Sequence, residues 1–155
     1  MLTPKDIKII NTLKKNCRIS TREISEKIGI PITTIHNRIK KLEEDGVIKS
    51  YRAVIDNRKI GKNIQAFVQI SVHYGPHFSQ EQCARKIFAM PEVDECYIMT
   101  GSTDILIKAS THDVDELNDF ITNRLRNFRG VTKTVTSVVL KDIEETEKPF
   151  LMKTK

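Results

Sequence analysis

The chain has 155 residues, of which 39% are hydrophobic, and a formal net charge of +6, which fits one domain or two small ones. It contains no apolar run long enough to span a membrane, no charged-then-apolar leader, and three widely spaced cysteines without a CxxC pair. We therefore expect a cytoplasmic protein with reduced thiols, without membrane contact, disulfide framework, zinc ribbon or cofactor.

A first helix is predicted close to the N-terminus. Thr3 is suited to cap it, Pro4 is favourable in the first turn, and Asp6 lies where the helix dipole favours negative charge. Ile7 and Ile10 then recur at helical spacing. A small N-terminal domain needs this helix to close its core.

Residues 20–48 carry the most informative pattern, two short amphipathic helices joined by a tight turn. Ser20 and Glu23 have capping-box spacing and predict where the first of the two begins. A Gly-Ile-Pro turn at residues 29–31 ends that helix, and the second is predicted over residues 32–45. This layout is typical of a helix-turn-helix whose second helix lies in the DNA major groove.

The outer face of the second helix offers the chemistry that duplex DNA requires. Asparagine can bond an adenine edge in a bidentate way, threonine can contact a base, and lysine or arginine can neutralise phosphates. The alternative is the solvated face of an ordinary core helix. The candidate DNA-contacting residues are Thr33, Thr34, His36, Asn37, Arg38, Lys40 and Lys41.

The distribution of charge supports DNA binding. Residues 1–60 contain 14 lysines and arginines and 7 acidic residues, a net charge of +7, whereas residues 61–155 have a net charge of −1. All six phenylalanines lie after residue 60 and only Tyr51 lies before it, so the basic half has almost none of the aromatic platforms on which single strands stack. Double-stranded DNA is therefore predicted as the partner in preference to RNA.

The segment that follows the helix-turn-helix is rich in β-branched residues. Residues 47–55 are predicted to form a strand and turn, which would make a small wing. Positive charge is concentrated in the first part of the chain and phenylalanine in the second. This difference predicts a DNA-binding domain over residues 1–56, a linker at residues 57–62 and a second domain over residues 63–155.

The second half alternates strands and helices. Residues 64–72 alternate apolar and polar side chains and predict a strand, and Ser79 and Gln82 have the spacing of a helix cap. Two further strands are predicted at residues 93–100 and 105–110, joined by a hairpin turn.

A capped helix and a last strand complete this half. Asp113 and Glu116 are predicted to start the helix, which would bury one stripe, and the strand is predicted over residues 131–143. The predicted stripe is Val114, Leu117, Ile121, Leu125 and Phe128. The order βαββαβ indicates a ferredoxin-like domain, so the fold class is α+β. Its open sheet face, expected to carry valine, isoleucine and threonine, predicts burial against a second copy.

From about residue 3 to residue 143 the chain resembles the leucine-responsive regulator (Lrp/AsnC) family of bacterial and archaeal transcription factors. The matching segments are residues 29–56, 93–109 and 128–140. The resemblance implies a winged helix-turn-helix joined to a ligand-sensing, dimer-forming domain. It also implies assembly of dimers into tetramers or octamers and amino acids or related metabolites as effectors. One departure is Pro31, where the family often has serine as the helix cap.

The resemblance also implies an effector-binding region. The hairpin turn Gly101-Ser102-Thr103-Asp104, which we call the effector turn, matches the family's loop that approaches the ligand between dimers, and the last strand faces it. A carboxylate suits an ammonium group, and backbone amides and threonine hydroxyls suit a carboxylate. The alternative is a hairpin turn that only shapes the chain. The candidate effector-binding residues are Gly101, Ser102, Asp104, Thr134 and Thr136.

Other functions are disfavoured by the sequence but remain open. Haem-pathway (siroheme-type) decarboxylases share this two-domain architecture, yet they would have little use for a DNA-reading half with a net charge of +7. A sensing or assembly module without DNA binding is disfavoured by the same charge split. His73, His77 and Cys83 suggest a metal site, but glycine and proline between the histidines break the helix that would align them. No metal and no enzymatic activity are predicted.

Overall fold

The computed structural model describes residues 2–76 and 78–141, and these residues divide into two compact units between Val54 and Ile55. The described part of the first unit contains three helices, as the sequence predicted. They are α1 (Pro4–Lys15), α2 (Thr21–Ile28) and α3 (Ile32–Glu44).

Reciprocal capping fixes where the first two helices begin. The Thr3 hydroxyl accepts a hydrogen bond from the Asp6 amide, while the Asp6 carboxylate accepts one from the Thr3 amide at 2.7 Å. Ser20 and Glu23 form the same pair of bonds at the start of α2. Each pair satisfies amides that the first turn of a helix leaves without a partner.

Four isoleucines form the core of the first unit. They come from each of the three helices and from the turn before α3, and are Ile9, Ile24, Ile30 and Ile35. Each contributes roughly 1.5–3 kcal/mol by leaving water. Because this core is small, the stability of the first unit also depends on helix capping and on polar contacts between the helices.

The predicted wing strand is wrong. Residues 47–55 form no strand in the structure. The Ile48 amide instead donates to the Leu42 carbonyl at 2.9 Å, and the Tyr51 hydroxyl donates to Glu43 at 2.7 Å, so this irregular segment folds back on α3. A strand requires a hydrogen-bonded neighbour, and the described part of the first unit offers no second strand.

The segment predicted as a linker is attached to the second unit. A short 3-10 helix spans Asn57–Ile60, and the Asn57 side-chain amide donates to the Ser110 hydroxyl at 3.0 Å. The Lys62 ammonium donates to the Pro91 carbonyl at 3.3 Å. Residues 57–62 therefore belong to the second unit, which begins at Ile55.

Besides that short helix, the described residues of the second unit form a four-stranded antiparallel sheet with two longer helical segments, in the predicted βαββαβ order. Its strand order is β2-β3-β1-β4, which is the ferredoxin-like arrangement. Its elements are β1 (Ile64–Val72), α4 (Gln80–Phe88), β2 (Val93–Ile98), β3 (Ile105–Thr111), α5 (Val114–Asp119) with a π-helical continuation (Phe120–Leu125), and β4 (Val131–Val138).

The two faces of the sheet differ from the prediction. Val68 and Ile70 of β1 and Ile107 of β3 are fully buried and belong to the core of the unit. The valine, isoleucine and threonine expected on the open face are therefore largely absent from it. The strand register places four apolar side chains on that face, which we call the open face: Phe67, Tyr97, Leu106 and Val135.

The helix after β3 also departs from its predicted stripe. Val114 was predicted to be buried but is 62% exposed, whereas Phe120, which the stripe omitted, is fully buried. The helix widens into a π-helical turn at Phe120–Leu125. Phe120 and Ile121 lie three and four residues after the buried Leu117, so regular helical spacing already places both on the core face, and the predicted stripe omitted Phe120 in error.

Two strand ends lie earlier than predicted. β2 ends at Ile98 and β4 at Val138, and the predicted last residues of the final strand, 142 and 143, lie outside the described residues. Within residues 2–76 and 78–141, no helix combines the length and the apolar character that crossing a membrane requires.

Candidate DNA-binding surface and effector turn

The turn between α2 and α3 builds the predicted helix-turn-helix. Gly29 adopts φ +68°, and its amide donates to the Ser25 carbonyl at 2.9 Å, which ends α2. Pro31 precedes α3 and provides no side-chain cap, as expected where proline replaces serine. Ile35 and Leu42 bury one face of α3, so its opposite face lies in solvent.

The solvent face of α3 carries the predicted DNA-contacting residues. Thr33, His36, Asn37, Lys40 and Lys41 are exposed, and Thr34 is half-buried. Lys40 pairs with Glu44 at 3.7 Å, but both side chains are exposed, so this pair is worth at most about 0.5 kcal/mol. Lys40 can therefore exchange Glu44 for a phosphate oxygen at little cost.

Arg38 differs from the other candidates because its side chain binds residues of another helix in the same unit. Its Nη1 atom lies 3.1 Å from both carboxylate oxygens of Asp6 and 3.1 Å from the Thr3 hydroxyl. The Asp6 side chain is only 7% exposed. Arg38 thus joins α3 to the start of α1, and its contact with a phosphate stays a prediction.

The effector turn is braced by Asp104. One carboxylate oxygen accepts from the Val72 amide at 2.8 Å, and the other accepts from the Tyr74 hydroxyl at 2.6 Å. The hydrogen bond from Tyr74, followed by that from Val72, holds the pKa of Asp104 below its ordinary range. Gly101 adopts φ +105° and Ser102 is exposed, so the tip of the turn is open to solvent.

The candidate threonines do not meet the effector turn within one chain. Thr134 lies opposite Ile70 and Thr136 opposite Val68, on the far side of β1 from β3. Two strand spacings, about 10 Å, separate β4 from β3. The Thr134 hydroxyl accepts a hydrogen bond from Arg126 at 3.1 Å.

Comparison with known proteins agrees with this arrangement. A family profile described as the Lrp/AsnC ligand binding domain matches residues 65–149, and one described as winged helix-turn-helix DNA-binding matches residues 2–49. The HTH-type transcriptional regulator FL11 of Pyrococcus furiosus is 40% identical over 141 residues, 91% of each chain. The chain belongs to the Lrp/AsnC family.

Other Lrp/AsnC relatives span the whole architecture. The leucine-responsive regulatory protein of Haemophilus influenzae is 33% identical over 141 residues, 91% of this chain and 85% of the relative. The structure of the regulator NMB0573 in complex with L-Met from Neisseria meningitidis matches with a TM-score of 0.87 at 30% identity, covering 94% of both chains. This protein is a DNA-binding transcriptional regulator with a ligand-binding domain, and the decarboxylase alternative finds no support in these comparisons.

The histidines of this Lrp/AsnC chain fall in separate places. Among the described residues, no three histidine, cysteine or acidic side chains are grouped so that they could hold a metal ion. His73 is exposed and Cys83 is buried, while His77 lies outside the described residues. The Nδ1 atom of His112 lies 2.7 Å from the Oε2 atom of Glu116.

Two residues that hold the effector turn were missed by the sequence analysis. Tyr74 binds the Asp104 carboxylate, and the Gln80 side-chain amide donates to the Asp104 carbonyl at 2.8 Å. These partners lie 30 and 24 residues before Asp104. No local pattern marks such distant pairs, because Tyr74 follows β1, Gln80 begins α4 and Asp104 precedes β3, so only folding brings them together.

Replacing Asp104 tests its bracing role. Asp104→Ala is expected to lower the free energy of unfolding of the second unit by about 1–2 kcal/mol, because the Val72 amide loses its acceptor. Asp104→Asn keeps an oxygen for that amide and should lose less. Urea denaturation followed by circular dichroism measures the stability of both variants. If Asp104→Ala is as stable as the wild type, Asp104 does not brace the turn.

The same contact has a defined pH dependence. The pKa of Asp104 is lowered by the hydrogen bonds from Tyr74 and Val72, so the stabilisation is complete above the ordinary value of 3.8. It is lost as the pH falls through the lowered value. The stability difference between wild type and Asp104→Ala should therefore shrink on acidification, and a difference that grows would contradict this assignment.

Proposed function

We propose that this regulator recognises specific duplex DNA through α3 and that an amino acid or a related small metabolite modulates it at the effector turn. One observation carries the first part. Asn37 and Lys40 lie exposed on the face of α3 opposite the buried Ile35 and Leu42, so the helix can enter a major groove without disturbing its core.

Different residues of α3 suit the recognition of bases and the contacts with phosphates that position the helix on the duplex. Asn37 suits the bidentate pattern of an adenine edge, and Thr33, Thr34 and His36 flank it on the exposed side. Lys40 and Lys41 supply positive charge for phosphates, which fixes the register on the duplex without reading sequence. Arg38 acts mainly by holding α3 on α1 through Asp6, and contributes to the phosphate field from there.

Asn37→Ala is expected to cost about 1–3 kcal/mol of discrimination between the operator and unrelated duplexes, because a base-edge contact is lost. Affinity for unrelated duplex should stay unchanged. The matched variant Lys41→Ala should instead weaken all duplexes and reduce the salt slope by about one unit.

Operators selected from random duplexes provide the sequences for this comparison, measured by fluorescence anisotropy at several salt concentrations. If Asn37→Ala retains full site preference, another element of the first unit recognises the bases. If Lys41→Ala changes only site preference, the roles of the two residues are reversed.

Three features support an amino-acid effector. The relative from Neisseria meningitidis is described in complex with L-Met. The Asp104 carboxylate is held ionised at the base of the turn, which suits an ammonium group. A side-chain atom added at Gly101 would meet nothing within 4 Å, so space is present beside the turn. Thr134 and Thr136 lie away from the turn of their own chain. We therefore propose that they contribute to a site whose effector turn belongs to a neighbouring protomer.

The open face supports a homodimer, and the family resemblance leads us to propose further assembly to a tetramer or octamer. Phe67, Tyr97 and Val135 are 40%, 48% and 45% exposed on one sheet face. Exposed apolar side chains grouped in this way mark an interaction surface. Two-fold symmetry then predicts a roughly palindromic operator with half-site centres about 34–36 Å apart, or a multiple of that distance.

Phe67→Asp tests this interface. The charge would be buried in the dimer, so we expect the dimer to weaken by about 2 kcal/mol or more, roughly 30-fold in dissociation constant. Val114→Asp introduces the same charge at a 62% exposed valine on α5 and serves as the control. Light scattering that shows the wild-type mass for Phe67→Asp across a dilution series would exclude the open face as the interface.

A further inference from the structure

A second surface of the first unit is a groove outside the solvent face of α3. It runs between the C-terminal end of α1 and residues 47–54, and its volume is about 720 Å³. We call it the basic groove. Its apolar lining includes Leu13, Val47, Tyr51 and Val54, and the last three are 45%, 47% and 97% exposed.

Positive charge surrounds this apolar surface. Arg18, Lys49 and Arg52 line the basic groove and are exposed, and Lys14 and Lys15 at the end of α1 line it as well. None of the described residues that line the groove is acidic. Its occupant should therefore combine apolar side chains with negative charge, a combination that the DNA backbone does not offer.

The C-terminal segment of the same chain has this combination. Residues 142–155, which lie outside the described residues, read DIEETEKPFLMKTK. Four acidic residues occur within residues 142–147, and the apolar run Phe150-Leu151-Met152 follows them. Fourteen residues can span about 45–50 Å when extended, enough to reach across a small domain.

We propose that residues 142–155 bind in the basic groove, with the apolar run on its floor and the acidic residues against its rim. The apolar run shields side chains such as Val54 from water. The acidic residues neutralise Arg18, Lys49 and Arg52, and salt weakens this contribution because the rim is exposed. The C-terminal segment thereby competes with phosphates for the rim cations, a consequence that depends on the DNA-binding role of this unit.

Cys17 provides a direct measurement, because its exposed thiol lines the same groove. The test compares its rate of labelling by a neutral maleimide in the full chain and in variants. Peptide mapping separates Cys17 from the buried Cys83 and the half-buried Cys96.

Replacing Phe150, Leu151 and Met152 by serine is expected to raise the labelling rate of Cys17 several-fold. Val54→Asp in the groove should do the same, and Val114→Asp on the second unit serves as the control and should not. High salt should raise the wild-type rate towards that of the serine variant. Since Val54 and Val114 are exposed, their variants should fold, and circular dichroism verifies folding for every variant.

Three results would overturn the proposal. The first is an equal Cys17 rate in wild type, the serine variant and Val54→Asp. The second is protection that rises with protein concentration equally in wild type and the serine variant, which would identify a second copy as the occupant. The third is protection that appears only when duplex DNA is added, which would assign the basic groove to phosphate contacts.

Discussion

Phe120→Ala is expected to lower the free energy of unfolding of the second unit by about 3–5 kcal/mol. Phe120 is fully buried and has the largest side chain among the fully buried described residues. Its removal leaves a cavity between the π-helical turn and the sheet, in a core whose isoleucines and valines cannot collapse fully. The Arg124 guanidinium, 5.4 Å from the centre of the ring, also loses its cation–π contact.

Phe88→Ala is the matched control, because Phe88 ends α4 and is 54% exposed. Its loss should change stability by only about 0.5 kcal/mol. Urea denaturation followed by circular dichroism measures both variants under the same conditions. Equal losses for the two phenylalanines would show that the π-helical turn does not pack Phe120 into the core.

Asp6→Ala is expected to lower the free energy of unfolding of the first unit by about 2–3 kcal/mol. Two losses combine, the reciprocal cap with Thr3 and the partner of Arg38, which remains partly buried without its counter-charge. The value is smaller than for a fully buried pair because the Arg38 side chain is 34% exposed. Since Arg38 fixes α3, affinity for duplex DNA should fall as well.

The double variant Asp6→Ala/Arg38→Met serves as the control. It removes the charge that Asp6→Ala leaves without a partner, so the double variant should lose less stability than the sum of the single variants. Additive losses would show that Asp6 acts through the helix cap alone. Thermal denaturation of the full chain, with duplex binding measured on the same samples, distinguishes these outcomes.

The pH dependence of this contact follows from the environment of Asp6. Burial by itself raises the pKa of Asp6, but hydrogen bonds from Thr3 and the nearby Arg38 charge outweigh it, so the net pKa is lowered. The stabilisation is therefore complete above the ordinary value of 3.8 and is lost as the pH falls through the lowered value. The stability of Asp6→Ala should change less than that of wild type over this acid range.

The sequence by itself determined most of the element order and where the helices begin. Ser20 with Glu23 and Asp113 with Glu116 mark helix starts, because a capping side chain and the amide that it binds lie three residues apart. Alternation along residues 64–72 determined β1 for a similar reason. The exposed face of α3 also followed from local spacing, since its buried residues recur every three or four positions.

Only the tertiary structure decided the roles of Arg38 and Asp104. Arg38 has the sequence context of a phosphate contact, and Asp104 that of a ligand contact, but each binds a residue more than 29 positions away. Residues 47–55 have the composition of a strand but no strand to pair with. In each case, the deciding partner is distant in sequence and comes within reach only when the chain folds.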